Sequence, residues 1–504
     1  MRPIEGLLLL VNLLAFLGLA LPLPRAMRWM HQATPVAVLA AGVQIFAEGP
    51  RWQMTPAYVL TGLLFLVWLW RFVATAHTVR RRSHALVTGA VVGVGVITMV
   101  VSVALPSVLP VFRFPQPSGP YAIGTVTYHW VDTARLEPFG DDAQRPRELM
   151  VQIWYPAKAD ASARRAPYIQ DADAVALALA RIHHKPSFVF GHLKYVTTHA
   201  MPSAAVAEAQ ADYPVLLFLE GVTGFRQMNT YQVEELVSHG YVVAGIDQPG
   251  AAAAVVFPDG RWVPGMTLAL VHASVDSSYM PDLNAPSLIG RVPTGVGLIW
   301  YFAQDAVFAL DQLAVLNRTD PDGKPSSILS GKLNLRQVGA FGVSLGGIVV
   351  AEACHFEPRL KACLMLDAPM SADVVTSGLL QPSMWITRSA DAMRLERQRT
   401  GGWNEKEIQA HQATMRAVYQ SLPGAGYFVQ VPGMFHINFT DLPNWSPWAA
   451  QMLLAGPIDG QRGHDIVNAY SLALFDQQLS GRAASLLEGS TGPYAQVLVE
   501  SRRP

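Results

Sequence analysis

The chain has 504 residues, and its 37 Lys and Arg balance its 37 Asp and Glu at a formal net charge of zero. That balance removes the electrostatic case for a nucleic-acid partner. Two cysteines imply no disulfide framework, so Cys354 and Cys363 read as buried thiols.

The first 112 residues are far more apolar than the rest. Ile4 to Pro24, Pro56 to Ala76 and Ala85 to Phe112 are each long and apolar enough to span a bilayer, for which about 20 residues suffice. Pro35 to Ala47 is shorter. The first run could be a cleaved leader, but its only charged lead residue is Arg2 and its cleavage signal is weak. Further spans follow closely, so a polytopic anchor is the better reading. Arg25 and Arg28 follow the first run, and Arg80, Arg81 and Arg82 follow the third. Basic loops favour the cytoplasm, so both clusters lie inside only if Pro35 to Ala47 also crosses. The expected anchor is therefore four helices over 4–24, 34–48, 56–76 and 85–110, with the remaining chain, 113–504, on the extracytoplasmic side. The alternative is three spans.

Beyond the anchor, strand-like and helix-like runs alternate. Gly124 to Asp132 and Glu148 to Tyr155 read as two leading antiparallel strands. Pro214 to Leu219 and Tyr241 to Ile246 read as buried strands. Asp305 to Leu316 is apolar at helical spacing, with Asp305 and Asp311 expected as capping or solvated residues, and Ala469 to Leu479 reads as a closing amphipathic helix. This alternation predicts an α/β domain, a mostly parallel sheet with helices on both faces, after the all-α transmembrane region. Ala251 to Gly297 lacks a clean period and is expected as a lid or rim over a site. Asp171 to Thr198, an alanine-rich helix followed by His- and aromatic-rich sequence, is expected as a second rim.

Gly342-Val343-Ser344-Leu345-Gly346 follows the apolar run Val338 to Phe341 and precedes a helix-like run from Ile348. This is the strand–turn–helix setting of a nucleophile elbow. A serine nucleophile needs a base, an acid to orient it, and N–H donors for the oxyanion. Asp367 ends the strand Ala362 to Leu366, and His436 lies in the loop after Phe428 to Val431. The order Ser344, Asp367, His436 is that of the α/β-hydrolases. Asp373 and Asp391 are rivals for the acid, and Asp391 follows the run Ser383 to Arg388. His355, His411 and His464 are rivals for the base. His355 reads as pointing away, His411 as part of a solvated helical face, and His464 as a helix cap. Backbone N–H groups of Leu345 and of Val222, in the loop after Pro214 to Leu219, are the expected oxyanion donors.

Gly221 to Arg226, Leu236 to Ala244, Leu366-Asp367-Ala368 and His436 to Asp441 together resemble the plasma platelet-activating factor acetylhydrolases over roughly residues 120–480. The resemblance implies the α/β-hydrolase fold and cofactor-independent, calcium-independent hydrolysis of short or oxidised acyl esters. It also implies an acid one strand after the elbow strand, at Asp367. Dienelactone-hydrolase-like esterases share this fold and elbow. The sequence departs from the family at Glu220, where a histidine is usual, and at Val343 and Leu345, where histidine and phenylalanine are usual. No zinc-ligand spacing, paired-carboxylate site or phosphate-binding glycine loop stands out, so no metal or organic cofactor is expected. The expected function is a membrane-anchored serine ester hydrolase whose partners are a lipid or small ester and the bilayer. A peptidase or acyltransferase on the same triad, or a non-catalytic membrane binding protein, are the alternatives.

Overall fold

The computed structural model describes residues 1–21, 24–74, 84–139, 144–266, 297–319, 324–488 and 492–502. The chain divides into two compact units. One is Met1–Phe112 with Phe188–Tyr195 and Trp445–Trp448, and the other is Arg113–Ser187, Val196–Asn444 and Ala449–Pro504.

The first unit is built on four helices, α1 (Pro3–Ala20), α2 (Ala33–Ala47), α3 (Thr55–Ala74) and α4 (His84–Val108). Among the described residues three stretches, Pro3–Ala20, Arg25–Ala47 and Trp52–Val73, are long and apolar enough to cross a membrane. α1 to α3 pack around Val11, Ala15, Leu19, Ala37, Leu60 and Leu64. Large apolar side chains such as Phe46, Leu39, Trp70 and Phe72 stay exposed. An aqueous protein rarely tolerates that, whereas lipid contact removes the penalty. The polar residues turn inward instead. Arg51 Nε meets Glu5 Oε1 at 2.6 Å, and Thr61 Oγ1 donates to Asn12 Oδ1 at 2.9 Å.

The second unit is organised by a ten-stranded sheet in the order β12-β11-β10-β9-β8-β4-β5-β2-β1-β3. In chain order these are β1 (Ala122–Leu136), β2 (Pro146–Ala157), β3 (Met201–Pro202), β4 (Tyr213–Leu219), β5 (Val242–Asp247), β8 (Leu333–Val343), β9 (Leu360–Leu366), β10 (Ser383–Thr387), β11 (Gly426–Gln430) and β12 (Leu498–Arg502). A separate short hairpin supplies β6 (Ala254–Val256) and β7 (Trp262–Pro264). The run from β5 through β4, β8, β9 and β10 to β11 is parallel throughout. The leading pair β1 and β2 is antiparallel, as the sequence predicts. β4 (Tyr-Pro-Val-Leu-Leu-Phe-Leu) is buried along its whole length, the pattern of a strand covered on both faces.

The longer helices of this unit are α5 (Ala172–Ile182), α6 (Thr230–Ser238), α7 (Leu298–Leu316), α8 (Leu345–Phe356), α9 (Ala390–Thr400), α10 (Glu405–Ser421) and α11 (Gly460–Leu479). Alternate residues of β4 and β8 divide between two layers. Leu217 and Ala340 join the core formed with α7 and α8. Phe218 stacks obliquely on Phe341, which in turn meets Phe475 of α11. The fold is therefore an α/β-hydrolase-type mixed sheet between helices, as expected.

Two expectations need correction. Cys354 of α8 and Cys363 of β9 are not free thiols but form a disulfide. Nothing in their spacing signals it; the two meet because α8 doubles back over β9, bringing their Cα atoms to 6.7 Å. Asp305 is neither a cap nor solvated. It is fully buried, paired with Arg147 Nη2 at 2.6 Å and Arg135 Nη2 at 2.7 Å, and its carboxyl stays below the usual range because the two guanidiniums outweigh burial. Asp311 is exposed and pairs with Arg359. Of the expected lid from Ala251 to Gly297, the part up to Met266 forms the β6–β7 hairpin, and 267–296 lie outside the described residues. The other expected rim, Asp171 to Thr198, begins with α5, while Phe188–Tyr195 packs with the first unit.

Candidate active site

Ser344, Asp367, the Val222 loop and His436 all follow the carboxyl ends of parallel strands, the end where open α/β sheets bind ligands. β8 runs into Ser344, whose φ of 56° and ψ of −121° depart from both neighbouring elements. Such a backbone is strained for a residue with a side chain and is a hallmark of functional turns. The turn holds because the Ser344 N–H donates to Leu366 O at 2.9 Å and the Ile348 N–H donates to Ser344 O at 3.1 Å. The flanking glycines answer to crowding. A Cβ on Gly346 would collide with Leu219 O, one on Gly342 with the Gly346 carbonyl, and one on Gly347 would lie 2.5 Å from Ala368 Cβ. Ser344 is half-buried between buried Val343 and Leu345.

Asp367 follows β9 at a positive φ of 46° and is fully buried. Its Oδ2 lies 2.6 Å from His436 Nδ1 and accepts from Arg388 Nε at 2.8 Å. Its Oδ1 accepts from Thr387 Oγ1 at 2.8 Å. Burial alone would raise this carboxyl, but Arg388 and the two histidines beside it outweigh burial and hold it well below the usual carboxylate range. His436 keeps 23% of its side chain exposed. With Nδ1 held by a carboxylate, Nε2 is the nitrogen left for proton transfer.

The loop after β4 passes directly beside the serine: a Cβ on Gly221 would stand 3.3 Å from Ser344 Cβ. Thr223 takes a φ of 60°, fixed by its N–H donating to Ala251 O at 2.8 Å. Among the described residues, neither the Val222 nor the Leu345 N–H is donated to a protein acceptor. This loop is tied to the histidine loop. Asp441 accepts from the Thr230 and Tyr231 N–H groups at 2.8 and 3.0 Å, and its own N–H donates to Met228 O at 2.8 Å.

A family profile described as platelet-activating factor acetylhydrolase, isoform II, matches residues 108–259. The platelet-activating factor acetylhydrolase of Gallus gallus is 22% identical over 406 residues, covering 73% of this chain and 84% of that protein. A probable 1-alkyl-2-acetylglycerophosphocholine esterase of Arthroderma benhamiae is 22% identical over 434 residues, 80% of this chain and 98% of that one. Among solved structures, a ferulic acid esterase from Streptomyces cinnamoneus superposes with a TM-score of 0.57 at 25% identity, covering 77% of this chain and 99% of its own. The chain is an α/β-hydrolase resembling the platelet-activating factor acetylhydrolases. It is an ester hydrolase.

In this acetylhydrolase-like chain the rival residues lie elsewhere. Asp391 is 91% exposed and paired with Arg394, and Asp373 sits in the first turn of the short helix Ala372–Ser377. His355 Nδ1 lies 3.0 Å from Gly378 O. Two histidine expectations are corrected. His411 is not on a solvated face but buried, its Nε2 3.6 Å from Asp367 Oδ1, because α10 turns that position toward the end of β9. His464 is not a cap; Asp459 caps α11, while His464 is buried, stacks on Tyr231 at 3.7 Å and meets Thr440 O at 2.9 Å.

Sequence reasoning missed Arg388, Glu396 and Trp403. Arg388 is fully buried and pairs with both Asp367 and Glu396. Glu396 Oε2 also accepts the His436 backbone N–H at 3.2 Å. Trp403 meets the rings of His436 and His411 edge-on. A lone arginine at the end of a strand of buried residues was the one available signal. Among the described residues no group of three His, Cys, Asp or Glu is arranged to hold a metal ion.

Proposed function

We propose that this chain is a membrane-anchored serine carboxylic-ester hydrolase, with residues 1–112 as the anchor and 113–504 as the catalytic domain. The observation that carries the reading is the pairing of Asp367 Oδ2 with His436 Nδ1 at 2.6 Å, at the same edge of the sheet as the strained Ser344 turn. Ser344 Oγ attacks the ester carbonyl carbon as His436 Nε2 takes its proton. The N–H groups of Val222 and Leu345 receive the oxyanion. His436 then returns the proton to the departing alcohol, leaving an acyl-serine. Water attacks that ester through the same base and releases the acid. Asp367 stays ionised throughout, holding the imidazole tautomer and stabilising the imidazolium.

The substrate class is a short-acyl lipid or small ester. The support comes from two relatives whose names specify acetyl-ester hydrolysis and from an anchor that would hold the site near a bilayer. The catalytic domain lies on the extracytoplasmic side. The basic clusters at Arg25 and Arg28 and at Arg80 to Arg82 favour that orientation. The Cys354–Cys363 disulfide supports it independently, because such bonds persist mainly in oxidising compartments.

The test is hydrolysis of p-nitrophenyl esters from acetate to palmitate by the detergent-solubilised protein and by Ser344→Ala. Wild type should favour acetate or butyrate, and the variant should fall to background. Equal rates for the two folded proteins on every ester would sink the assignment.

A further inference from the structure

Resting on the Ser344–His436–Asp367 reading, we propose that buried Arg388 and its partner Glu396 are the positioning clamp of this site, Arg388 fixing the acid and Glu396 fixing the histidine loop. The contacts form a closed ring. Asp367 Oδ2 accepts from His436 Nδ1 at 2.6 Å and from Arg388 Nε at 2.8 Å. Arg388 Nη1 pairs with Glu396 Oε2, and that oxygen accepts the His436 backbone N–H at 3.2 Å. The four residues come from four places: the end of β9, the end of β10, helix α9 and the loop after β11. Each ring member therefore restrains an element that no local sequence preference would bring to the others.

Burying a guanidinium is costly, and an apolar side chain of similar volume usually packs as well or better. Arg388 is nonetheless fully buried, and its Nη2 has no partner among the described residues. Packing alone gives no reason for a cation here. Position does, because the cation stands on the carboxylate that must stay ionised and oriented. The groups facing Asp367 are Arg388, His436, Thr387 and, from α10, His411 at 3.6 Å. Those facing Arg388 are Asp367, Glu396 and the Trp403 ring, whose centroid lies 5.0 Å from the guanidinium carbon. Trp403 thus covers the ring on the side of both histidines and limits screening by water.

The clamp has a consequence that simple packing would lack. Arg388 offsets part of the Asp367 charge that would otherwise stabilise the imidazolium. Removing the guanidinium should therefore move the acid limb of the rate profile to higher pH.

The experiment compares full-length, detergent-solubilised wild type, Arg388→Met, Arg388→Lys, Glu396→Gln and Ser344→Ala on p-nitrophenyl acetate. Circular dichroism establishes folding, and kcat, KM and the pH profile of kcat/KM are read. Glu396→Gln and Arg388→Met should lower kcat about 10- to 100-fold, the scale of a misplacement near 1 Å, with KM nearly unchanged. The acid limb should move up in Arg388→Met, and Arg388→Lys should restore much of kcat and return the limb. Wild-type kcat and an unmoved profile in folded Arg388→Met or Glu396→Gln, with Ser344→Ala inactive, would overturn the clamp and leave the triad standing. If Arg388→Met does not fold, Glu396→Gln, a change at a partly exposed helix position, decides by the same criteria. Full activity in Ser344→Ala would overturn the triad and the clamp with it.

Discussion

Glu220 stands where the related acetylhydrolases usually carry a histidine, directly before the glycine of the loop beside Ser344. It is fully buried; its Oε1 accepts the Gln248 N–H at 3.1 Å and its Oε2 has no partner among the described residues. Burial, with Asp247 nearby, pushes this carboxyl well above its usual range. The folded chain therefore binds the proton more tightly than the unfolded chain does. Its stabilising contribution is complete below the ordinary glutamate value and is lost as pH rises through the folded value. Glu220→Gln keeps a neutral side chain that accepts the same N–H. Thermal unfolding should show the variant and wild type equal near pH 4.5 and the variant about 2–4 °C more stable at pH 8. A variant less stable than wild type at pH 8 would mean that Glu220 is ionised in the fold. Asp367 has the opposite sign. Its carboxyl is held low, so its contribution is present above the ordinary aspartate value and is lost as pH falls through the folded one. The sequence displayed Glu220 as a departure, but its protonation depends on burial between β4 and β5, which no local pattern reveals.

At the scale of elements, the legible features were those that a few consecutive residues determine. The Ser344 turn needs small neighbours because α8 starts against the end of β4, and Gly342 and Gly346 announce that need in the sequence. The parallel strands announce themselves as short unbroken apolar runs. The disulfide was not legible, since Cys354 lies on a helix and Cys363 on the following strand, where intervening residues could equally have kept them apart. Arg388 and His411 were read past for the same reason: their meaning lies in the approach of β10 and α10 to the end of β9. The Cys354–Cys363 bond ties the helix that follows Ser344 to the strand that ends at Asp367. For so short a loop the chain-entropy argument gives roughly 2–3 kcal/mol. Thiol titration of the denatured, unreduced protein should find no free thiol, and two after reduction. Reduction should also lower the unfolding temperature by about 2–4 °C, because the bond joins two core elements of a large unit. Two thiols titrating before reduction would show that the bond is not formed.

At the scale of the whole molecule, the two units are different materials. The first exposes Phe46 at 94% and Phe72 at 70%, whereas the second buries nearly every residue of its parallel strands. Under the proposed anchoring the two units would answer to different solvents, and the side of the membrane would fix which esters reach the proposed nucleophile Ser344. Two independent features bear on that side. Arg25, Arg28 and Arg80 to Arg82 fall in the two loops that an even number of crossings would leave in the cytoplasm. The disulfide would be reduced in a cytosolic thiol pool and retained outside it. Three crossings, with Pro35 to Ala47 not crossing, would put the two clusters on opposite sides of the bilayer, with the hydrolase unit on the side of Arg25 and Arg28. Protease added to intact, osmotically supported cells should degrade a C-terminally tagged chain down to an anchor fragment, while a cytoplasmic marker survives. The same cells should hydrolyse a charged, membrane-impermeant short-acyl ester, and Ser344→Ala cells should not. A tag that is cleaved only after the membrane is lysed would reverse the orientation. It would place the disulfide in a cytoplasmic thiol pool, whether all four apolar helices cross or one lies along the bilayer.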